Sequence, residues 1–188
     1  IPKYREMADS GQIELTTSPY YHPILPLICH VDSARTASPG IQLPHRHFSH
    51  REDAEQQIAL GISTFERLLG RKPAGMWPSE MAVGEAVASL AVQAGLDWMI
   101  SDEDVLARSL EGGLARDGEG RIMSPESLYE PYRIEREGHE VAMVFRHKIP
   151  SNLLGFDYYR MPPRSPVTDS MARLRRTPHA RGHGHIPA

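Results

Sequence analysis

Residues 73–103 read PAGMWPSEMAVGEAVASLAVQAGLDWMISDE: an apolar run, a proline turn, an amphipathic stretch and a second apolar run. Gly75-Met76-Trp77 ends at Pro78, whose fixed φ and missing N–H stop a short strand in a turn that carries Ser79 and Glu80. Val83, Val87, Leu90 and Ala94 then recur at helical spacing, and Gly95 supplies the left-handed stop. Leu96 to Ile100 is a second strand, closed by Ser101, Asp102 and Glu103. Strand, helix and strand at these lengths predict a parallel α/β arrangement.

Upstream, Ala54, Ile58, Ile62, Phe65 and Leu69 predict a helix with one buried stripe. Ser49 and Glu52 have capping-box spacing at its start, and Gly70 stands where its C-terminus needs a left-handed residue. Ile13 to Thr17 alternates like a strand and runs into Ser18-Pro19-Tyr20-Tyr21-His22-Pro23, a loop forced by two prolines. Ile1 to Gly11 reads as the end of a helix, and Asp32 to Pro44 as irregular chain. Downstream, Gly112 to Arg121 reads as a surface loop and Val141 to Arg146 as a last strand. Four strands are too few to close a barrel alone. From residue 160 the chain turns rich in Pro, Arg and His, which reads as an irregular tail, disordered or non-native.

With 188 residues, 40% of them hydrophobic, the chain has material for one domain with a core. A net charge of −3 gives no general attraction to nucleic acid or anionic lipid. No apolar run approaches the roughly 20 residues that span a bilayer, and no signal-peptide pattern appears, so a cytoplasmic location is the default expectation. The single Cys29 cannot form an internal disulfide and reads as a buried, inert thiol.

In parallel α/β folds the reacting groups sit just past the strands' C-terminal ends. Those positions hold Glu14 with Tyr20, Tyr21 and His22; Trp77 with Ser79 and Glu80; Asp102 and Glu103; and Arg146 with His147. Carboxylates and aromatics gathered in this way suit a carbohydrate, because sugar rings stack C–H faces on aromatics and acetal hydrolysis uses paired carboxyls. Strand-end acids also cap helices and pair with Arg. Trp77 fits a core role as well as a sugar platform, and His22 fits a loop-holding role. His45, His47 and His50 alternate as metal ligands can, but no carboxylate pattern completes a site, so a solvated loop and no bound metal or cofactor are expected.

Gly11-Gln12-Ile13-Glu14-Leu15-Thr16-Thr17-Ser18-Pro19-Tyr20-Tyr21-His22-Pro23-Ile24-Leu25-Pro26-Leu27 resembles the second motif region of glycoside hydrolase family 57. Gly75-Met76-Trp77-Pro78-Ser79-Glu80 resembles its third, and Ile100 to Glu103, Leu128 to Tyr132 and Phe145 to Phe156 are similar to further segments in the same order. The resemblance covers Ile1 to Tyr159. It implies an incomplete seven-stranded (β/α)7 barrel that acts on α-linked glucans as a retaining hydrolase or transglycosidase, of amylase, amylopullulanase, branching enzyme or 4-α-glucanotransferase type. Glu80 is then the nucleophile. Glu14, His22 and Trp77 line the donor subsite, and Asp102, Glu103 and Arg146 are substrate or supporting contacts.

Two features depart from the family pattern. No counterpart of the region carrying the general acid/base Asp follows Tyr159, so the chain is expected to be an internal piece of the catalytic domain (residues 1–159, with the tail over 160–188), inactive alone. Arg-Asp-His and Ser-Asp of the family are here Arg146-His147-Lys148 and Ser151-Asn152. A metal-dependent polysaccharide deacetylase on a related barrel and a non-catalytic glucan-binding module are the alternatives.

Overall fold

The computed structural model describes residues 1–118, 120–136, 138–162 and 164–176. Helices α1 (Pro2–Asp9), α2 (Leu25–Cys29), α3 (Ala34–Ala37), α4 (Arg51–Leu69) and α5 (Glu85–Gln93) precede β2, with strand β1 (Gly75–Met76) between α4 and α5. Strand β2 (Trp98–Asp102) is followed by α6 (Glu103–Ser109), α7 (Pro125–Tyr129), β3 (Tyr132–Arg136), β4 (His139–Arg146), α8 (Lys148–Asn152) and α9 (Arg164–Arg176). None of these helices is long and apolar enough to cross a membrane. The fold is mixed α/β.

The four strands form one sheet in the order β1-β2-β4-β3. The expected strand–helix–strand unit is present: β1 and β2 pair in parallel, Gly75 opposite Trp98 and Met76 opposite Met99, with α5 as the connection. The sheet is not parallel throughout, as the sequence had led us to expect. Strands β3 and β4 pair antiparallel, Ile134 opposite Val141, and β3 lies at the sheet edge. Its alternation of half-buried Tyr132 and Ile134 with exposed Arg133 and Glu135 suits an edge with one wet face.

Ile13 to Thr17 does not form the strand its alternation predicts. Gln12 and Ile13 donate back to Met7 O at 2.9 and 3.4 Å, so the chain reaches the sheet only at Thr17, which bridges to Met76 in parallel. The predicted capping box is not made either. Segments 28–31 and 48–50 pair through Val31 N–H to Phe48 O (2.9 Å) and His50 N–H to Ile28 O (2.8 Å). That pairing aims the Ser49 hydroxyl at Cys29 O (2.9 Å), and His50 takes the cap position.

The chain divides into two compact units: Ile1–Ser101 with Tyr132–Met143, and Asp102–Pro131 with the described residues from Val144 onward. In the first, Leu25, Ile58, Met76, Val87, Leu90, Met99 and Val141 are buried, and Cys29 is buried with its thiol pKa pushed up by desolvation. In the second, Leu106, Leu128 and Tyr158 are buried. The stretch expected to be an irregular tail contains α9. Pro166 fits its first turn, Val167 and Met171 share a face, and Asp169 joins Arg173 one turn later at 2.7 Å while accepting the Tyr158 hydroxyl at 2.8 Å. Residues 177–188, with His179, His183 and His185, lie outside the described residues.

Helix α4 carries Gly61 where the chain leading to the candidate site crosses it. A Cβ at Gly61 would meet Ser18 O at 2.3 Å, a backbone atom that cannot swing away. In a free helix Gly→Ala stabilises by about 1 kcal/mol. Here we expect the opposite sign: Gly61→Ala lowers unfolding free energy by about 1–3 kcal/mol through overpacking, read from urea denaturation midpoints.

Candidate active site

Proline at 78 ends β1 and delivers Ser79, Glu80 and Met81 as one turn of 3-10 helix, closed by Met81 N–H to Pro78 O (2.8 Å) and Ala82 N–H to Ser79 O (3.1 Å). Glu80 and Met81 are both left-handed, with φ of 54° and 57°. Ser101 at the end of β2 donates its hydroxyl to Met81 O at 2.8 Å and pins the turn. The Glu80 side chain is 71% exposed, so its carboxylate faces outward from a fixed backbone.

His22 comes to Glu80 from the other motif. Its backbone is also left-handed (φ 57°), and its Nε2 lies 3.2 Å from Glu80 Oε1. The His22 and Trp77 rings stand 5.4 Å apart, tilted at 52°. Ser18 donates its hydroxyl to Trp77 O at 2.8 Å and ties the two segments together. Two polar groups are left over: the Trp77 indole N–H and the Ser79 hydroxyl are buried and have no hydrogen-bond partner among the described residues. The Asp32 Oδ1 and Ser33 Oγ atoms are buried without a hydrogen-bond partner among the described residues in the same way.

Glu14 is not brought to this cluster. Thr17 lies opposite Met76 in a parallel bridge, so a residue three positions earlier sits towards the N-terminal end of β1, away from Glu80. Its Oε1 accepts the Trp98 indole N–H at 2.7 Å, and it lines a cavity of about 370 Å³ with Gln12, Arg71 and Lys72. The same Trp98 ring covers Gly75, where a Cβ would meet it at 2.2 Å.

Asp102, Glu103 and Arg146 belong to the second unit and are paired there. Arg146 Nε donates to Asp102 Oδ2 at 2.6 Å and its Nη1 to Asn152 at 3.2 Å, while Asp102 also caps α6 through Asp104 N–H (2.9 Å). Glu103, 2% exposed, accepts from the Arg116 guanidinium and from Lys148 N–H at 2.9 Å. Lys148 pairs with Asp104, which lies below the usual carboxylate range chiefly because of that hydrogen bond. His147 lies 2.7 Å from the Tyr129 hydroxyl, and burial pulls its imidazole pKa down.

Ser18, Ser101 and Gln57 hold the site together without a signal in the sequence that assigns them to it. Gln57 accepts Tyr20 N–H on its backbone oxygen (3.0 Å) and Tyr21 N–H on its side chain (2.8 Å). No periodicity marks it. Among the loop histidines, His47 lies 3.4 Å from the Asp32 carboxylate and His50 2.9 Å from that of Glu52. Among the described residues no three His, Cys, Asp or Glu side chains are placed to hold a metal ion.

Comparison with known proteins gives this geometry a family. The sequence profile of glycosyl hydrolase family 57 matches residues 1–186. The chain belongs to glycosyl hydrolase family 57. The family 57 match runs past Tyr159, where the resemblance read from the motifs stopped. A 1,4-alpha-glucan branching enzyme of Thermococcus kodakarensis is 33% identical over 82 residues, 44% of this chain and 9% of that protein. Alpha-amylase 1 of Dictyoglomus thermophilum is 26% identical over 153 residues, 79% of this chain and 18% of that protein. The chain thus spans less than a fifth of these relatives. In fold it is similar to the 4-alpha-glucanotransferase of Thermococcus litoralis (TM-score 0.54, 19% identity, 90% of this chain and 20% of that one). It is also similar to a family 57 branching enzyme of Thermococcus kodakaraensis solved with glucose (TM-score 0.55, 20% identity, 84% and 27%).

Two expectations separate structural from chemical roles in this family 57 chain. Removing the Glu103 carboxylate strands Arg116 and the Lys148 N–H, so Glu103→Ala costs about 3 kcal/mol in unfolding free energy, read by denaturant titration. Because burial lowers the His147 pKa, the unfolded chain binds more protons between that lowered value and about 6.5. The His147 contribution is therefore complete above about pH 6.5 and lost as pH falls through that window. The thermal midpoint follows this slope, and His147→Gln flattens it.

Proposed function

We propose that this chain is the nucleophile-bearing part of a retaining enzyme acting on α-linked glucans, as hydrolase or transglycosidase, with residues 1–159 belonging to a (β/α)7 barrel and residues 160–188 appended to it. The observation that carries this reading is Glu80: an outward carboxylate on a left-handed turn at the C-terminal end of β1, held 3.2 Å from His22. A non-glycine residue in that conformation is costly and persists where the surroundings over-determine it, which is typical of reacting groups. The family membership and the glucan-named relatives support the substrate class.

In the proposed reaction a Glu80 carboxylate oxygen attacks the anomeric carbon, and the glycosidic C–O bond breaks with its electron pair on the leaving oxygen. An acid protonates that oxygen. Water then releases the sugar in hydrolysis, or another sugar's hydroxyl takes it in transfer. His22 keeps the carboxylate aimed, and Trp77, whose ring stands 5.4 Å from that of His22, lines the subsite with it. Glu14 is assigned to the Trp98 contact instead of the subsite. Asp102, Glu103 and Arg146 are assigned to holding their own unit.

Formation of the glycosyl-enzyme is separated from the acid step by a substrate that needs no acid. A 5-fluoro-α-glucosyl fluoride expels fluoride unaided and leaves a slowly hydrolysed glycosyl-enzyme. We expect the chain to gain one glycosyl mass on the peptide holding Glu80, no label in Glu80→Gln, and no turnover of ordinary maltooligosaccharides. Label on another residue sinks the assignment of Glu80. Glucan binding without any label favours a non-catalytic module.

A further inference from the structure

Tyr20 and Tyr21 take no part in the site so far. Their rings meet edge to face, 4.7 Å apart at 76°, yet Tyr20 is 44% and Tyr21 77% exposed. Tyrosines this open usually lie on mobile chain. Here the backbone beneath them is fixed by Gln57, which receives both N–H groups, at 3.0 and 2.8 Å. Pro19 on one side is fully buried, and His22 on the other reaches Glu80. The pair therefore costs exposed apolar area and is held rigidly, with Tyr21 one Cα step, about 3.8 Å, from the residue that touches the nucleophile.

We infer that Tyr20 and Tyr21 form a sugar-stacking platform beside Glu80, for the glucose unit one or two residues along the α-glucan from the bond under attack. The inference rests on the proposed action on α-linked glucans. A glucose ring is about as wide as a phenol ring and offers an apolar face of axial C–H bonds, while its hydroxyls project from the rim and stay wet. An exposed aromatic on rigid backbone suits that face, because little side-chain freedom remains to be lost on binding. The two rings stand edge to face and support one another. Gln57 is then a positioning residue, acting through the two tyrosine N–H groups.

The test is maltoheptaose titration of the 188-residue chain by calorimetry, with Tyr ring protons followed by NMR. We expect Tyr21→Ala and Tyr20→Ala to bind roughly three- to tenfold more weakly. Tyr21→Phe should bind as the parent does, since the face and not the hydroxyl is used. Because Tyr21 is mostly exposed, its variants should keep the parent's thermal midpoint, and a fall there sends the comparison to Tyr21→Phe and the ring-proton shifts. Binding unchanged in both alanine variants overturns the platform while leaving the nucleophile assignment intact. No binding by the parent chain overturns the platform as well, and the fluoride label then decides separately whether Glu80 is the nucleophile.

Discussion

Thr17 N–H donates to Gly75 O at 3.0 Å, and Trp77 N–H donates to Thr17 O at 2.9 Å. These two bonds set the register between a proline-rich loop and a strand of two residues. Without them nothing in the sequence brings residue 22 to residue 80. With them, Ser18 falls beside Trp77 and bonds its carbonyl, and His22 arrives at Glu80. The same register sends Glu14 to the opposite end of β1, where Trp98 holds it. A slip of one residue would turn every side chain of the segment to the other face. The close passage over Gly61 enforces the register from outside, since no side chain fits between α4 and Ser18 O.

The site also stores strain. Among the described residues the non-glycine positions with positive φ are His22, Glu80 and Met81, and all belong to it. Each costs roughly 1–2 kcal/mol relative to ordinary backbone. The cost is offset locally: Pro78 O and Ser79 O accept the turn's N–H groups, and Ser101 accounts for the Met81 carbonyl. The strained turn is thereby stiff, which suits the proposed role of Glu80 as attacking carboxylate, since a displacement of an ångström lowers such a rate steeply.

What could be read in the sequence followed from periodicity and punctuation. Helix α4 with Gly70, helix α5 with Gly95, and the strand ending at Pro78 were legible because each depends on neighbours in the chain. Strand β3 was not, because Tyr132 and Ile134 are too few to signal an edge strand that Val141 stabilises from across the ladder. The Ser49 cap failed for the same reason: a partner twenty residues away, Cys29 O, competed for the hydroxyl. Glu80, His22 and Trp77 were found as motif members and do converge. Glu14 stood in the same motif, but its place depends on strand direction, which composition does not carry. Gln57 had no local signal, since its task is to bond backbone groups of a distant loop.

The altered segment Arg146-His147-Lys148 shows how a changed motif can remain structurally sound. Burying an unpaired charge there would be costly, and none is left unpaired. Arg146 has Asp102 and Asn152, Lys148 has Asp104, and the desolvated His147 sits against the Tyr129 hydroxyl. Glu103 closes the network through the Lys148 N–H. Side chains committed in this way have little hydrogen-bonding capacity to offer a sugar, and releasing them would carry the desolvation penalty of each partner left behind. The groups around Glu80 are in a different condition: its carboxylate, 3.2 Å from His22, is turned outward, and Tyr20 and Tyr21 are exposed. The Glu80 turn and its loop therefore present exposed polar and aromatic groups, while the paired residues beyond Ser101 are committed to one another.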